Sequence, residues 1–155
     1  MQSVDSEDRT TGQSGASLYR TLVEGCPDAI IVADGKGVIR FWNAGAEATF
    51  GHTAAEVIGK SLDAIIPEQL RKRHWAGYDA VMASGATKYG TDILRVPALH
   101  RDGRRLSIEF RVTLLRNDQG AVVGIAAFLR DVTEAWKEQQ ELRKRLAALE
   151  RRDPV

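Results

Sequence analysis

The chain has 155 residues, with Lys+Arg 22 against Asp+Glu 21 and a formal net charge of +1 at pH 7. That length holds one domain with a buried core and tails, and so even a charge balance excludes a global field drawing the chain onto nucleic acid or an anionic membrane. No run approaches the roughly 18 apolar residues of a membrane span, MQSVDSEDRT lacks a signal-peptide core, and a single cysteine excludes an internal disulfide or a multi-cysteine zinc site, so a cytoplasmic protein with a local function is expected.

Residues 1–16 are rich in Ser, Thr, Asp, Gln and Gly without apolar periodicity and are expected to form a flexible N-terminal segment. Ser17 is placed to cap a short amphipathic helix carrying Leu18, Leu22 and Val23, which Gly25 ends. Cys26 closes this run before Pro27, where a plain buried thiol is expected. DAIIVAD at 28–34 reads as a strand, Asp34-Gly35-Lys36-Gly37 as a turn, and VIRFW at 38–42 as a second strand, together a hairpin. Asn43 can cap the next helix, and Thr53 with Glu56 has capping-box spacing, which gives two short helices around Gly51 and Gly59.

After a third short turn, residues 67–85, PEQLRKRHWAGYDAVMASG, form the longer helix. Pro67 suits its first turn and Gly85 its end, while Leu70, His74, Gly77, Tyr78 and Val81 recur at helical spacing. His74 thus stands inside the apolar stripe. An imidazole there must be hydrogen-bonded, packed as a neutral ring or bound to something, because burying it unpaired costs about 1–3 kcal/mol.

Three strand-like runs follow, 89–99, 106–115 and 122–130, joined by turns at His100-Arg101-Asp102-Gly103 and Asn117-Asp118-Gln119-Gly120. Leu106, Ile108, Phe110, Val112 and Leu114 alternate onto one face, opposite Ser107, Glu109, Arg111 and Thr113. Ile125, Ala127 and Leu129 likewise share a face, so an inner sheet surface opposes the helices. Asp131 with Glu134 has capping-box spacing for a C-terminal helix through Trp136, on which Ala135, Gln139, Leu142, Leu146 and Leu149 fit just over two heptads. That length is marginal alone, so it is expected to pair with a second copy or with the N-terminal helix.

The stretches DAIIVADGKGVIRFWNAGAEATFGHTAAEVIGKSLDAIIP, HRDGRRLSIEF and GIAAFLRDVTE, in this order of elements, resemble the PAS sensory domain over residues 18–135. The resemblance implies an α+β fold, a five-stranded antiparallel sheet flanked by short helices and one longer helix around a ligand pocket. It divides the chain into the flexible segment 1–16, the PAS domain 17–131, and a C-terminal signalling and dimerisation helix at 132–155. Many PAS domains bind flavin, haem or small acids and many bind nothing known, so family alone leaves the ligand open. A narrower similarity is to the haem-binding PAS domains of rhizobial oxygen-sensor kinases, which bind haem through a histidine on the long helix. Arg73-His74 and Tyr78 look similar to that context, with Tyr78 one residue later, and Arg95 lies near the position of a ligand-gating arginine. Closing the gap differently puts Leu94 there instead, and an apolar distal side would favour carbon monoxide over oxygen.

The resemblance therefore implies haem b with His74 as the iron's axial ligand and Trp75 and Tyr78 as lining. Arg71, Lys72 and Arg73 would be within reach of the propionates, and Leu94 or Arg95, Phe110, Val112, Ile125, Ala127 and Leu129 would form the distal wall. The residues by themselves equally allow a core histidine, packed aromatics and a solvated basic face. Flavin or a small organic acid, held by Arg95 or Arg111, is the alternative cofactor, or none. The cysteine of photochemical flavin PAS domains is absent from the matching helix. His52 and His100 read as surface residues, and no nucleophile sits in a triad or elbow context, so no enzyme is expected. The expected function is a haem-binding sensor of a diatomic gas or redox state that signals through terminal helices. Its expected partners are a second copy and a separate kinase or transcription regulator. The alternative is a cofactor-free dimerisation and relay module.

Overall fold

Local chemistry sets most element boundaries. The computed structural model describes residues 14–152 apart from residue 89, so most of the expected flexible segment, and Tyr89, lie outside the described residues. Helix α1 (Gly15–Gly25) is capped by Ser14, whose side chain accepts from the Ser17 N–H, so the cap stands three residues before the expected Ser17. Strands β1 (Ala29–Asp34) and β2 (Ile39–Trp42) form the expected hairpin. Its turn is held by Asp34 Oδ1, which accepts from the N–H groups of Lys36 and Val38 at 2.9 and 3.1 Å.

Asn43 then starts helix α2 (Ala44–Phe50), and it does more than cap. Only 2% exposed, it accepts from the N–H of Ile30 and Ala46 and donates to the carbonyls of Val23 and Asp28, binding α1, β1 and α2 at one point. Thr53 and Glu56 make the complete capping box of helix α3 (Ala54–Val57). A 3-10 turn (Leu62–Ile65) leads to helix α4 (Glu68–Ser84), which Gly85 ends at φ 69°, a left-handed conformation that suits glycine.

Strand β3 (Leu94–Leu99) starts five residues later than the expected 89, leaving a connection that includes Thr87, Lys88, Gly90 and Asp92. Strands β4 (Arg105–Arg116) and β5 (Val122–Asp131) match their expected runs within a residue or so, and helix α5 (Thr133–Arg152) ends the described chain. The Asp131 carboxylate accepts from the Thr133 N–H, whereas Glu134 turns to Lys137 at 3.2 Å, so the expected Asp131–Glu134 box is replaced by a simpler cap.

The five strands form one antiparallel sheet in the order β2-β1-β5-β4-β3, and the fold is α+β as expected. Directly paired residues share a face. Ala29, Leu129, Phe110 and Leu94 therefore line up on one side, and Arg130, Glu109 and Arg95 on the other. The first side carries the core, where Ala29, Ile31, Ala98, Leu106, Ile108 and Leu129 pack with Ala46, Phe50, Val57 and Ile65 from the short helices. Burial fades along this inner face. Leu106, Ile108 and Leu129 are 1, 4 and 5% exposed, whereas Leu94, Phe110, Val112, Leu114, Ile125 and Ala127 are only half-buried.

Candidate functional site

The less covered end of the inner face is where α4 is seated. Contacts along its whole length hold the helix there. The Trp75 ring lies against Gly37 of the hairpin turn, Tyr78 donates its hydroxyl to the Asp34 carbonyl at 2.5 Å, and Met82 approaches Gly35. At the helix C-terminus Arg116 donates to the Gly85 carbonyl at 2.6 Å, tying α4 to the end of β4. At its N-terminus Arg71 donates to the carbonyls of Ile66 and Asp63, and the Trp75 indole donates to the Asp63 carboxylate at 2.7 Å.

Within this seat His74 stands half-buried on the inward stripe with Leu70, Tyr78 and Val81, as the spacing predicted, while Gly77 is exposed. Its ring meets Trp75 edge-on at 4.8 Å and Tyr78 at 5.8 Å between centroids. Its Nδ1 is the one buried side-chain nitrogen or oxygen without a hydrogen-bond partner among the described residues. Burial pushes the imidazole below its ordinary pKa and the nearby Asp63 carboxylate partly opposes this, so His74 is neutral at neutral pH. A neutral, unpartnered ring nitrogen is a metal-ligating form of histidine.

The register decides between Leu94 and Arg95. Leu94 pairs with Phe110 and shares the inner face, whereas Arg95 pairs with Glu109 on the outer face and binds its carboxylate at 3.3 Å. Arg95 is thereby removed from the candidate wall, because a one-residue step along a strand reverses the side-chain direction. Arg111, paired with Phe128, is exposed on the outer face too, so neither arginine serves as an inward anion partner. Phe110, Val112, Ile125, Ala127 and Leu129 all share the inner face with Leu94.

Trp75 and Tyr78 flank His74, yet both polar atoms are committed to Asp63 and Asp34, so their main work is seating α4. Burial raises the Tyr78 phenol to about 12, with the Asp34 charge adding to the effect, and keeps it a donor. Arg71 is bound by the 3-10 turn, leaving Lys72 and Arg73 exposed beside it. Asp63 is the residue that sequence reasoning missed. Nothing in a short polar turn signals that its carboxylate orients an indole on the following helix.

His52 and His100 differ from their reading as surface residues. Each is half-buried, His100 covering Gly51 with its Nδ1 3.1 Å from the Asp102 carboxylate, and His52 edge-on to Trp42. Among the described residues no cluster of three metal-ligating side chains occurs. Cys26 is free and half-buried, and Asp28 is engaged by Arg130 at 2.9 Å. Two surface grooves lie elsewhere. One, of about 530 Å³, runs between α1 and Phe41, Trp42, Ala54 and Ile58, and the other, of about 430 Å³, between the β3–β4 edge and Trp136.

Among known proteins, the family model described as PAS fold matches residues 23–136. The chain is similar to the Sensor protein FixL of Bradyrhizobium diazoefficiens, 27% identical over 157 aligned positions that cover 96% of this chain and 30% of that protein. It is 32% identical over 136 residues to an uncharacterized protein of Azorhizobium caulinodans, covering 87% of this chain and 18% of that protein. The chain thus spans less than a third of the length of either relative.

Of solved structures, the PAS domain of a Colwellia psychrerythraea protein superposes with a TM-score of 0.67 at 23% identity, covering 77% of this chain and 98% of that one. An RNA-binding Light-Oxygen-Voltage receptor superposes with a TM-score of 0.68 at 22% identity, covering 85% of this chain and 37% of that one. At these identities the structures share the fold. No helix among the described residues is long and apolar enough to cross a membrane. With the family model covering most of the chain and the five-stranded sheet in place, the chain belongs to the PAS fold family of sensory domains.

Proposed function

We propose that this domain is a non-catalytic, cytoplasmic sensor that binds haem b, with His74 as the axial ligand. The observation that carries the reading is the buried, unpartnered Nδ1 of a neutral His74, on a helix beside an incompletely covered apolar sheet face. A group that the ring can bind would offset the cost of leaving that nitrogen unpaired, about 1–3 kcal/mol. Leu94, Phe110, Val112, Ile125, Ala127 and Leu129 would form the apolar wall, and Lys72 and Arg73 are free to meet carboxylates at the pocket rim. Haem, when bound, supplies an iron that takes up a diatomic gas or changes redox state. The similarity to FixL, a sensor protein, supports the reading.

Arg95 points away from this wall, so no cationic donor of the sheet's inner face stands where a gas would bind. An apolar surrounding of that kind favours carbon monoxide over dioxygen, whose bound form gains more from a hydrogen-bond donor. The signal would leave through the terminal helices of a homodimer to a kinase or transcription regulator. Flavin is a weaker reading, resting on the likeness in fold to the Light-Oxygen-Voltage receptor. A cofactor-free relay module is the second reading, favoured by exposed Tyr19, Leu22, Leu142, Leu146 and Leu149 on the terminal helices.

The test is the absorption spectrum of the chain produced with a haem precursor, beside His74→Ala. The expected result is a strong haem band in the wild type that shifts or vanishes in the variant, with a carbon monoxide difference spectrum stronger than that for oxygen. A colourless wild type that takes up no haem overturns the reading and leaves the relay module.

A further inference from the structure

Strand β3 is an edge of the sheet, paired with β4 alone, and helix α5 leaves the domain beside that pair. Ser107 fixes the exit, its N–H donating to Thr133 Oγ1 at 3.0 Å and its carbonyl accepting from the Val132 N–H at 2.8 Å. The first turn of α5 thus becomes a wall beside the sheet. Between this wall and the two strands runs the groove of about 430 Å³. The register puts Arg95, Pro97, Ser107 and Arg105 on the outer face, and all four line it.

The groove is apolar at its centre and cationic around it. Trp136 and Val96 are 48 and 39% exposed, so an indole and an isopropyl group meet water here. Arg105 is exposed and makes no hydrogen bond or ion pair among the described residues. Arg95 and Lys137 hold Glu109 at 3.3 Å and Glu134 at 3.2 Å, but both cations are exposed, and surface pairs of this kind are weak enough to yield to a better-placed anion.

We infer that this groove binds an acidic peptide segment of a partner protein, with an apolar side chain of the segment on Trp136 and Val96 and its carboxylates on Arg105, Arg95 and Lys137. Charge complementarity selects the occupant. The unengaged Arg105 calls for an anion, while the exposed tryptophan beside it calls for an apolar group, and tryptophan and arginine are the side chains that carry most binding energy at protein interfaces. Nucleic acid needs a longer basic track, and Glu109 and Glu134 at the rim repel phosphates. The groove stands apart from His74 and from the exposed leucines of α5, so the inference goes beyond both the haem reading and the homodimer. A segment held here would join the sheet to the root of α5.

The test uses the full chain and the fluorescence anisotropy of a labelled synthetic peptide, one phenylalanine flanked on both sides by aspartates and glutamates, beside a peptide with lysines in place of the acids. The acidic peptide is expected to bind and the basic one not, with Arg105→Glu and Trp136→Ala each weakening binding at least about tenfold. Lys144→Glu makes the same kind of charge change on the far part of α5 and is expected to bind as the wild type does. In the wild type, the Trp136 indole N–H resonance is expected to shift as the acidic peptide is added, a readout that needs no variant to fold. Failure of the wild type to bind the acidic peptide, an equal loss in Lys144→Glu, or an unmoved Trp136 resonance overturns the inference. So does tighter binding of a single-stranded oligonucleotide that Arg105→Glu abolishes, which assigns the groove to nucleic acid, or a smaller sedimentation mass for Arg105→Glu, which assigns it to a second copy.

Discussion

At His74 burial and charge act in opposite directions, and burial prevails, which lowers its pKa below the ordinary value of 6.5. His52 is lowered too, chiefly by burial, with Glu56 opposing. Below pH 6.5 the unfolded chain binds protons that the folded chain resists, so stability is complete above that pH and is lost as the pH falls. The carboxylates Asp34, Glu56 and Asp102 are also lowered. Burial opposes the shift at Asp34 and is outweighed by its bonds to Val38, Arg40 and Lys36, while the Thr53 and Arg104 N–H groups lead at Glu56 and Asp102. Their contributions fade only below their ordinary values of 3.8 to 4.5. The melting temperature of the cofactor-free chain is therefore expected to be level between about pH 7 and 9, to fall above pH 10 where the raised Tyr78 phenol is still protonated only in the folded chain, and to decline between about 6.5 and 5, with a shallower acid decline in His74→Leu. An equal slope in that variant would assign the effect to His52 alone. Sequence placed His74 on the inward stripe through its spacing, but its missing partner and the Asp63 charge are facts of packing.

For helix α4 the decisive contact is with a turn more than thirty residues earlier in the chain. Gly37 has φ +76°, and a Cβ there would come within 2.1 Å of the Trp75 ring. Gly37→Ala thus combines backbone strain with a steric clash and is expected to cost about 2–4 kcal/mol, read as a lower denaturant midpoint. Because the same clash unseats α4, it is also expected to weaken haem uptake beyond the loss of stability. A midpoint within error of the wild type would show that Trp75 has another place to go. Asp34-Gly35-Lys36-Gly37 was legible as a turn from composition, but its second role as the floor under Trp75, Tyr78 and Met82 was not. Turn chemistry reports local φ and ψ preferences and carries no information about what packs on them.

In the whole molecule, the regions proposed for ligand binding and for association are separate. The inner face and α4 hold the candidate ligand site, while the exposed leucines of α5 stand clear of it. If the exposed leucines of α5 join two copies as proposed, Leu146→Glu is expected to leave the dilute chain's melting temperature unchanged and to raise the dimer dissociation constant at least about tenfold, because it places a charge on that apolar stripe. Sedimentation equilibrium checks this, and an unchanged mass would move the interface to α1 or to the sheet's outer face. Any signal from the α4 side must cross the sheet to reach α5. The available path is β4 and β5, since the Ser107 N–H donates to Thr133 Oγ1 at 3.0 Å and the Val132 N–H to the Ser107 carbonyl at 2.8 Å.

Sequence by itself determined the order and type of the elements, the helix caps at Asn43 and Thr53, the alternation that puts Phe110, Val112, Ile125, Ala127 and Leu129 on one face, and hence the family. These follow from short-range periodicity and capping, which act within a few residues. Only the tertiary structure decided which of Leu94 and Arg95 faces inward, because the pairing of β3 with β4 sets that direction, and the late start of β3 hid the register. It likewise decided that Asn43 joins three elements, that Asp63 orients Trp75, and that Tyr78 is bound to the hairpin turn. Each of these bonds joins residues 12 to 44 positions apart, a separation over which local propensity has no reach and packing alone selects the partner.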